Sequence, residues 1–151
     1  MLITGASGSG TTTLGKSLAE LFAFLSLDAD DYYWLPTDPP YRSKRDRLQR
    51  LSMIVDALKK SPHGVIVSGS VVDWGTEIED SFDLIVFLVV PVEIRVERIQ
   101  RREVARFGNV NAAFLEWAAQ YDEGHMPGRS LLIHQRWLAS ARAKYCVFKA
   151  T

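Results

Sequence analysis

Residues Gly5-Ala6-Ser7-Gly8-Ser9-Gly10-Thr11-Thr12 have the spacing of a loop that cradles phosphate, G-x-x-x-x-G-K-[ST], except that Thr11 stands in place of the lysine. The glycines let the backbone turn tightly and bring its N–H groups against phosphate oxygens. A helix that follows directly adds the unpaired N–H groups of its first turn and a favourable dipole. Gly5, Ser7, Gly8, Ser9, Gly10, Thr11 and Thr12 are therefore the candidate nucleotide-binding set, with the Thr12 hydroxyl placed to meet Mg²⁺. Most of this cradle is backbone and survives the loss of the lysine. What goes is a mobile cation near the β- and γ-phosphates, so ADP and ATP are expected to bind with similar affinity. A plain Gly/Ser-rich turn is the competing reading; three spaced glycines leading through Thr12-Thr13 into a helical pattern are more specific than that.

A second group is acidic. Asp28, Asp30 and Asp31 follow an apolar run at Phe24 to Leu27. Carboxylates there can hold Mg²⁺ through water, Asp28 above all, or take the proton of a substrate hydroxyl, the role given to Asp28 and Asp30. A solvated turn with a capping Asp is the alternative. Tyr32, Tyr33 and Trp34 come next and either stack a flat substrate or pack beneath a loop. Arg42, Lys44, Arg45 and Arg47 begin the following helical pattern, where cations are not favoured electrostatically, which hints at an anionic ligand. Ser68-Gly69-Ser70 permits close backbone approach, and Asp73 is the nearest acid beyond it. After Pro91, the spacing of Arg95, Arg98, Arg102 and Arg106 puts them on one helix face, with Val96 and Ile99 elsewhere. Guanidinium forks match phosphate geometry. Glu93, Glu97 and Glu103 lie close by, so a salt-bridged surface helix is the rival account. His63, His125 and His134 show no metal-ligand spacing.

These residues need elements to position them, and the chain supplies alternating strands and helices. Leu2-Ile3 leads into a helix over 13–22 with Leu14, Leu18, Leu21 and Phe22 on one side; so short a first strand suggests a start upstream of Met1. Helices are also expected over 43–59, from Pro91 onward, near 111–121 with core residues Phe114, Trp117 and Tyr121, and over 129–141. Further strands are expected at 65–67, 84–89 and 145–148, the last burying Cys146. Such alternation implies a parallel sheet covered on both faces, with ligands at the carboxyl ends of its strands. At 151 residues the chain forms one domain. Lys plus Arg and Asp plus Glu both number 18, which removes a global field for nucleic acid or anionic membrane. The single cysteine precludes an internal disulfide and suits the cytoplasm. No apolar run approaches the roughly 20 residues that span a bilayer.

Taken together, Gly5 to Thr12, Asp28-Ala29-Asp30-Asp31, Ser68-Gly69-Ser70 and the run from Pro91 to Arg98 resemble the small P-loop kinases of the nucleoside-monophosphate-kinase superfamily, including its shikimate- and gluconate-kinase-like members. The resemblance implies an α/β, three-layer P-loop NTPase fold over 1–151, with a five-stranded parallel sheet in the order 2-3-1-4-5. It implies an acceptor-binding segment near 28–60, holding Asp28, Asp30 and Arg45, and a lid-like segment near 95–125, carrying Arg98, Arg102 and Arg106. The implied ligands are ATP, Mg²⁺ and a small-molecule phosphoryl acceptor. Two functions follow from this pattern. One is a kinase with Asp28, Asp30, Arg98 and Arg102 as its catalytic groups; the other is a nucleotide-binding sensor or partner-binding protein without turnover, to which the missing lysine points.

Overall fold

The computed structural model describes residues 1–124 and 126–150; His125, in the expected lid-like segment, and Thr151 lie outside them. The elements run β1 (Leu2–Gly5), α1 (Thr11–Phe22), β2 (Leu25–Asp28), α2 (Ala29–Tyr33), α3 (Arg47–Lys59), β3 (Val65–Ser68), α4 (Thr76–Glu79), β4 (Leu84–Val89), α5 (Val92–Phe107), α6 (Ala112–Ala119), a 3₁₀ segment (Gln120–Glu123), α7 (Leu131–Ser140) and β5 (Lys144–Lys149). The five strands are parallel and lie in the order β2-β3-β1-β4-β5. This is the expected P-loop order, with β1 central.

Strand alternation builds the two cores. Leu2, which pairs with Val67 of β3 and Ile85 of β4, faces the side covered by Ile54, Val71, Trp74, Ile78 and Leu138. Its neighbour Ile3, with Ile66 and Val86, faces the opposite side and meets Ala19, Leu14 and Leu18 of α1. Successive side chains of a strand point to opposite faces, so the continuous apolar runs fill both layers.

Helix α1 corrects one expectation. Leu21 and Phe22 are exposed, and Gly15 and Ala19 are the residues buried against the sheet. A Cβ at Gly15 would lie 2.0 Å from Ser68 Oγ, so the helix seats directly on the end of β3 through its small residues. That seat holds the phosphate loop at the carboxyl end of the sheet.

Helix α3 starts at Arg47 rather than near residue 43. Asp46 caps it, accepting from the Leu48 and Gln49 N–H groups at 3.0 and 3.1 Å. Upstream, Arg45 N–H donates to Tyr33 O and Leu35 N–H donates to Ser43 O, which draws residues 43–45 back along 33–35. Backbone pairing thus displaces the helix start, and Arg42, Lys44 and Arg45 stand outside it. Pro91 sits at the N-cap of α5 rather than within its first turn. Strand β5 is largely exposed at the sheet edge, and Cys146 is only half-buried.

Candidate nucleotide and acceptor site

The loop after β1 closes on itself: Ser9 donates to Ala6 O through both its N–H and its hydroxyl, at 3.1 and 2.7 Å. Gly8, at φ 82°, is where glycine is required. A Cβ there would meet the Arg95 carbonyl oxygen at 2.6 Å, so loop and α5 touch backbone to backbone. Gly10, at φ 92°, is the N-cap of α1, and no side chain caps the helix behind it. The N–H groups of the first turn of α1 are therefore left for an anion. Thr11 and Thr12 are the first residues of that turn.

The acids of β2 join this end of the sheet. Thr12 Oγ1 donates to Asp28 Oδ2 at 2.9 Å, and Asp28 Oδ1 accepts the Asp30 N–H at 3.0 Å. One carboxylate thus links the phosphate-loop helix to the start of α2. Burial pushes the Asp30 pKa above 3.8; Arg129 opposes this, Asp28 and Asp31 reinforce it, and Arg102 opposes it again. Asp31 is also raised, by burial and by Asp28, against the charge of Lys16.

Arg129 completes the site, and no sequence motif marks it. It lies between Gly128, at φ 82°, and Ser130, the N-cap of α7. Its Nη2 donates to Gly5 O at 3.0 Å, joining residues 124 positions apart, while its buried Nε has no partner among the described residues. Burial lowers its pKa, and Asp30, Tyr121, Asp28 and Tyr33 oppose that shift. The guanidinium therefore lies within electrostatic reach of the acids of β2 and α2 and at the root of the loop. Beside it, His134 is enclosed, with Nε2 3.0 Å from Ser70 Oγ and Nδ1 2.5 Å from the Tyr121 hydroxyl. Burial, then Arg129, holds its pKa down at about 3, so the imidazole is neutral near neutral pH.

The arginines of α5 separate into different roles. Arg95 is fully buried with Ile99 and Glu103, not on the face of the others. It donates to Val90 O, Ala118 O and Asp122, and so fastens α5 to α6 and the 3₁₀ segment. Arg98 is exposed and borders the phosphate loop: a Cβ added at Gly10 would lie 3.9 Å from its Nη1. Arg102, also exposed, is close enough to Asp30 to lower its pKa and lies 3.7 Å from Glu103. Arg106 donates to the Tyr41 hydroxyl at 2.9 Å, and Arg101 pairs with Glu97.

In the segment expected to hold an acceptor, Arg45 is engaged with the Tyr32 and Trp34 carbonyls at 3.0 and 3.3 Å. The aromatic run packs: Tyr33 stacks on Trp74 at 6.1 Å, and the Arg50 guanidinium lies 4.8 Å from the centroid of each ring. Arg50 Nε is a second buried donor with no partner among the described residues. Asp73 is exposed, at φ 60°. Of the expected core aromatics, Tyr121 is buried, while Phe114 and Trp117 stack half-buried at 5.9 Å.

The donors suit Mg²⁺. That ion takes one or two protein oxygens and keeps waters and substrate phosphates for the rest. Thr12 and Asp28 provide such a pair. No group of three or more His, Cys, Asp or Glu is gathered as a metal cage among the described residues. Nor, among them, is any helix long and apolar enough to cross a membrane.

A family model described as an AAA domain matches residues 1–116. The chain is 39% identical over 147 residues to the protein YqaC of Bacillus subtilis (strain 168), covering 91% of this chain and 80% of the relative. Among solved structures, it is similar in fold to a shikimate kinase from Bacteroides thetaiotaomicron, with TM-score 0.59, 20% identity, and coverage of 99% of this chain and 85% of the other. A shikimate kinase from Acinetobacter baumannii in complex with shikimate gives TM-score 0.56 and 17% identity, covering 99% and 82%. A gluconokinase from Sinorhizobium meliloti 1021 gives 0.52 and 18%, covering 91% and 88%.

Proposed function

The chain belongs to this AAA-domain family and has the P-loop kinase fold, and on that premise we propose that it transfers the γ-phosphoryl group of ATP to a small, anionic, hydroxylated metabolite in the cytoplasm. The observation that carries the reading is the Thr12–Asp28–Asp30 chain, which ties the acids of β2 and α2 to the phosphate loop. The loop backbone from Ser7 to Thr12 holds the triphosphate. Thr12 and Asp28 hold Mg²⁺, which when bound neutralises charge on the transferred group.

Asp30 takes the proton of the acceptor hydroxyl. The hydroxyl oxygen forms the new bond to the γ-phosphorus as the bond to the β–γ bridging oxygen breaks, and ADP leaves. A carboxylate with a raised pKa is a better proton acceptor than an ordinary one. Arg129 and Arg50, each with an unpartnered buried Nε among the described residues, favour an acceptor bearing a carboxylate or phosphate. Arg98 and Arg102 neutralise the transferring phosphoryl from the lid side.

The test is a panel of candidate acceptors incubated with ATP and Mg²⁺, with Asp30→Asn alongside. Phosphorylation of an anionic hydroxy compound is expected, reduced roughly 10²–10⁴-fold in the variant, the usual effect of losing a positioned base. Release of phosphate with no acceptor modified, or nucleotide binding with no turnover, would overturn the kinase reading.

A further inference from the structure

We propose that Arg98 supplies, from α5, the positive charge that Thr11 denies the phosphate loop. The proposal rests on the nucleotide-binding reading of that loop. Above Gly10 the space is bounded by one group: a Cβ built there finds only Arg98 Nη1 within 4 Å, at 3.9 Å, once adjoining residues are set aside.

The guanidinium is held to that position by the helix that bears it. Gly8 abuts the Arg95 carbonyl, and the buried Arg95 side chain is fastened to Val90 O, Ala118 O and Asp122. That anchor fixes the register of α5 on the loop. Arg98, one helical turn further on, is thereby delivered to Gly10.

Its neighbours are engaged elsewhere. Arg95 pairs with Asp122, Arg101 with Glu97, Arg102 lies near Glu103, and Arg106 meets Tyr41. Arg98 has no hydrogen bond or ion pair among the described residues. A free guanidinium beside the first turn of α1 is suited to bind polyphosphate oxygens in place of a lysine ammonium. The sequence expectation of similar ADP and ATP affinity therefore reverses: the protein should distinguish them.

Titration calorimetry on the whole chain with ATP, ADP, inorganic triphosphate and pyrophosphate tests this. Replacing Arg98 by Ala should weaken ATP and inorganic triphosphate roughly ten- to a hundredfold, the effect of one charge-assisted bond, and change ADP less. Thr11→Lys added to that variant should restore the lost affinity, and Arg98→Lys should retain much of it. If Arg98 served only to stack on a base, the inorganic ligand would be unaffected and Thr11→Lys would restore nothing; either result overturns the proposal. Failure of the unaltered protein to bind any of the four ligands would instead remove the nucleotide reading itself. Matched melting curves establish that the variants fold.

Discussion

The two sides of the site are built differently. The nucleotide side is a short, continuous stretch of backbone: Gly5 to Thr12 turns on itself and leads into α1. The proposed acceptor side would draw on side chains of distant segments: Asp30 on α2, Arg50 on α3, and Arg129 before α7. Backbone recognition is insensitive to side-chain identity but intolerant of added bulk. Side-chain recognition tolerates bulk and depends on charge. The two halves should therefore fail in different ways.

The largest effect is expected at Gly8. A methyl group there would force a residue at φ 82° and would also meet the Arg95 carbonyl at 2.6 Å. Strain of about 1–3 kcal/mol from the backbone, with a similar sum for overpacking, predicts a loss of nucleotide affinity of a hundredfold or more in Gly8→Ala. Calorimetry with ATP measures it. Near-normal affinity would show that the loop is not held against α5, and the contrast between the halves would break at its stronger end.

The counterpart on the acceptor side is Arg129→Gln, which keeps a donor for Gly5 O and removes the charge. ATP affinity should change by less than about twofold, while kcat/KM for the acceptor falls roughly ten- to a hundredfold, as expected for one lost charge-assisted contact. The pH profile gives a second readout. Arg129 opposes the rise of the Asp30 pKa, so without it Asp30 stays protonated to higher pH, and the acidic limb of the rate profile should move upward. A purely structural Arg129 would leave that limb where it is.

The same division explains what was legible in the sequence. The loop and the five strands could be read because each rests on contiguous residues, glycine spacing or apolar runs that fill both faces, whereas the strand order came from the family resemblance. The strand-end rule for parallel sheets put Asp28 at the ligand-binding end of the sheet, and the structure adds its hydrogen bond to Thr12. Arg129 was hidden, because its pairing with Gly5 crosses 124 residues and no local pattern marks it. Helical spacing groups Arg95 with Arg98, Arg102 and Arg106, but Arg95 falls on the neighbouring stripe with Ile99 and Glu103, which is buried, and spacing alone does not tell the two stripes apart. The apolar spacing sets Leu21 and Phe22 on one side of α1 with Leu14 and Leu18, but the helix buries Gly15 and Ala19, because close approach to Ser68 requires small residues. The start of α3 was set by backbone pairing of 43–45 with 33–35, which leaves no trace in helical periodicity.

The smallest effect concerns stability rather than binding, and it probes the support beneath the acceptor side. His134 is enclosed among Ser70, Tyr121 and Phe87, with the Arg129 charge close by. Its pKa is about 3 in the folded chain, against 6.5 for an ordinary histidine. Between those values the unfolded chain binds a proton that the folded chain refuses, so stability falls as pH drops through that window, at no more than about 1.4 kcal/mol per pH unit for one proton. Asp30 contributes with the opposite sign: its raised pKa makes the folded chain take up a proton before the unfolded one does, which favours folding as pH falls. The net slope therefore understates the histidine, and the informative measurement is a difference. Melting temperatures of the unaltered protein and of His134→Gln, taken from pH 7 to pH 4.5, should converge toward acid, because glutamine can bond Ser70 and Tyr121 without a proton to refuse. Parallel curves would mean that His134 takes up its proton without resistance. The enclosure of Arg129 would then be looser than the geometry indicates, and the acceptor half would lose the rigidity that the comparison with the loop assumes.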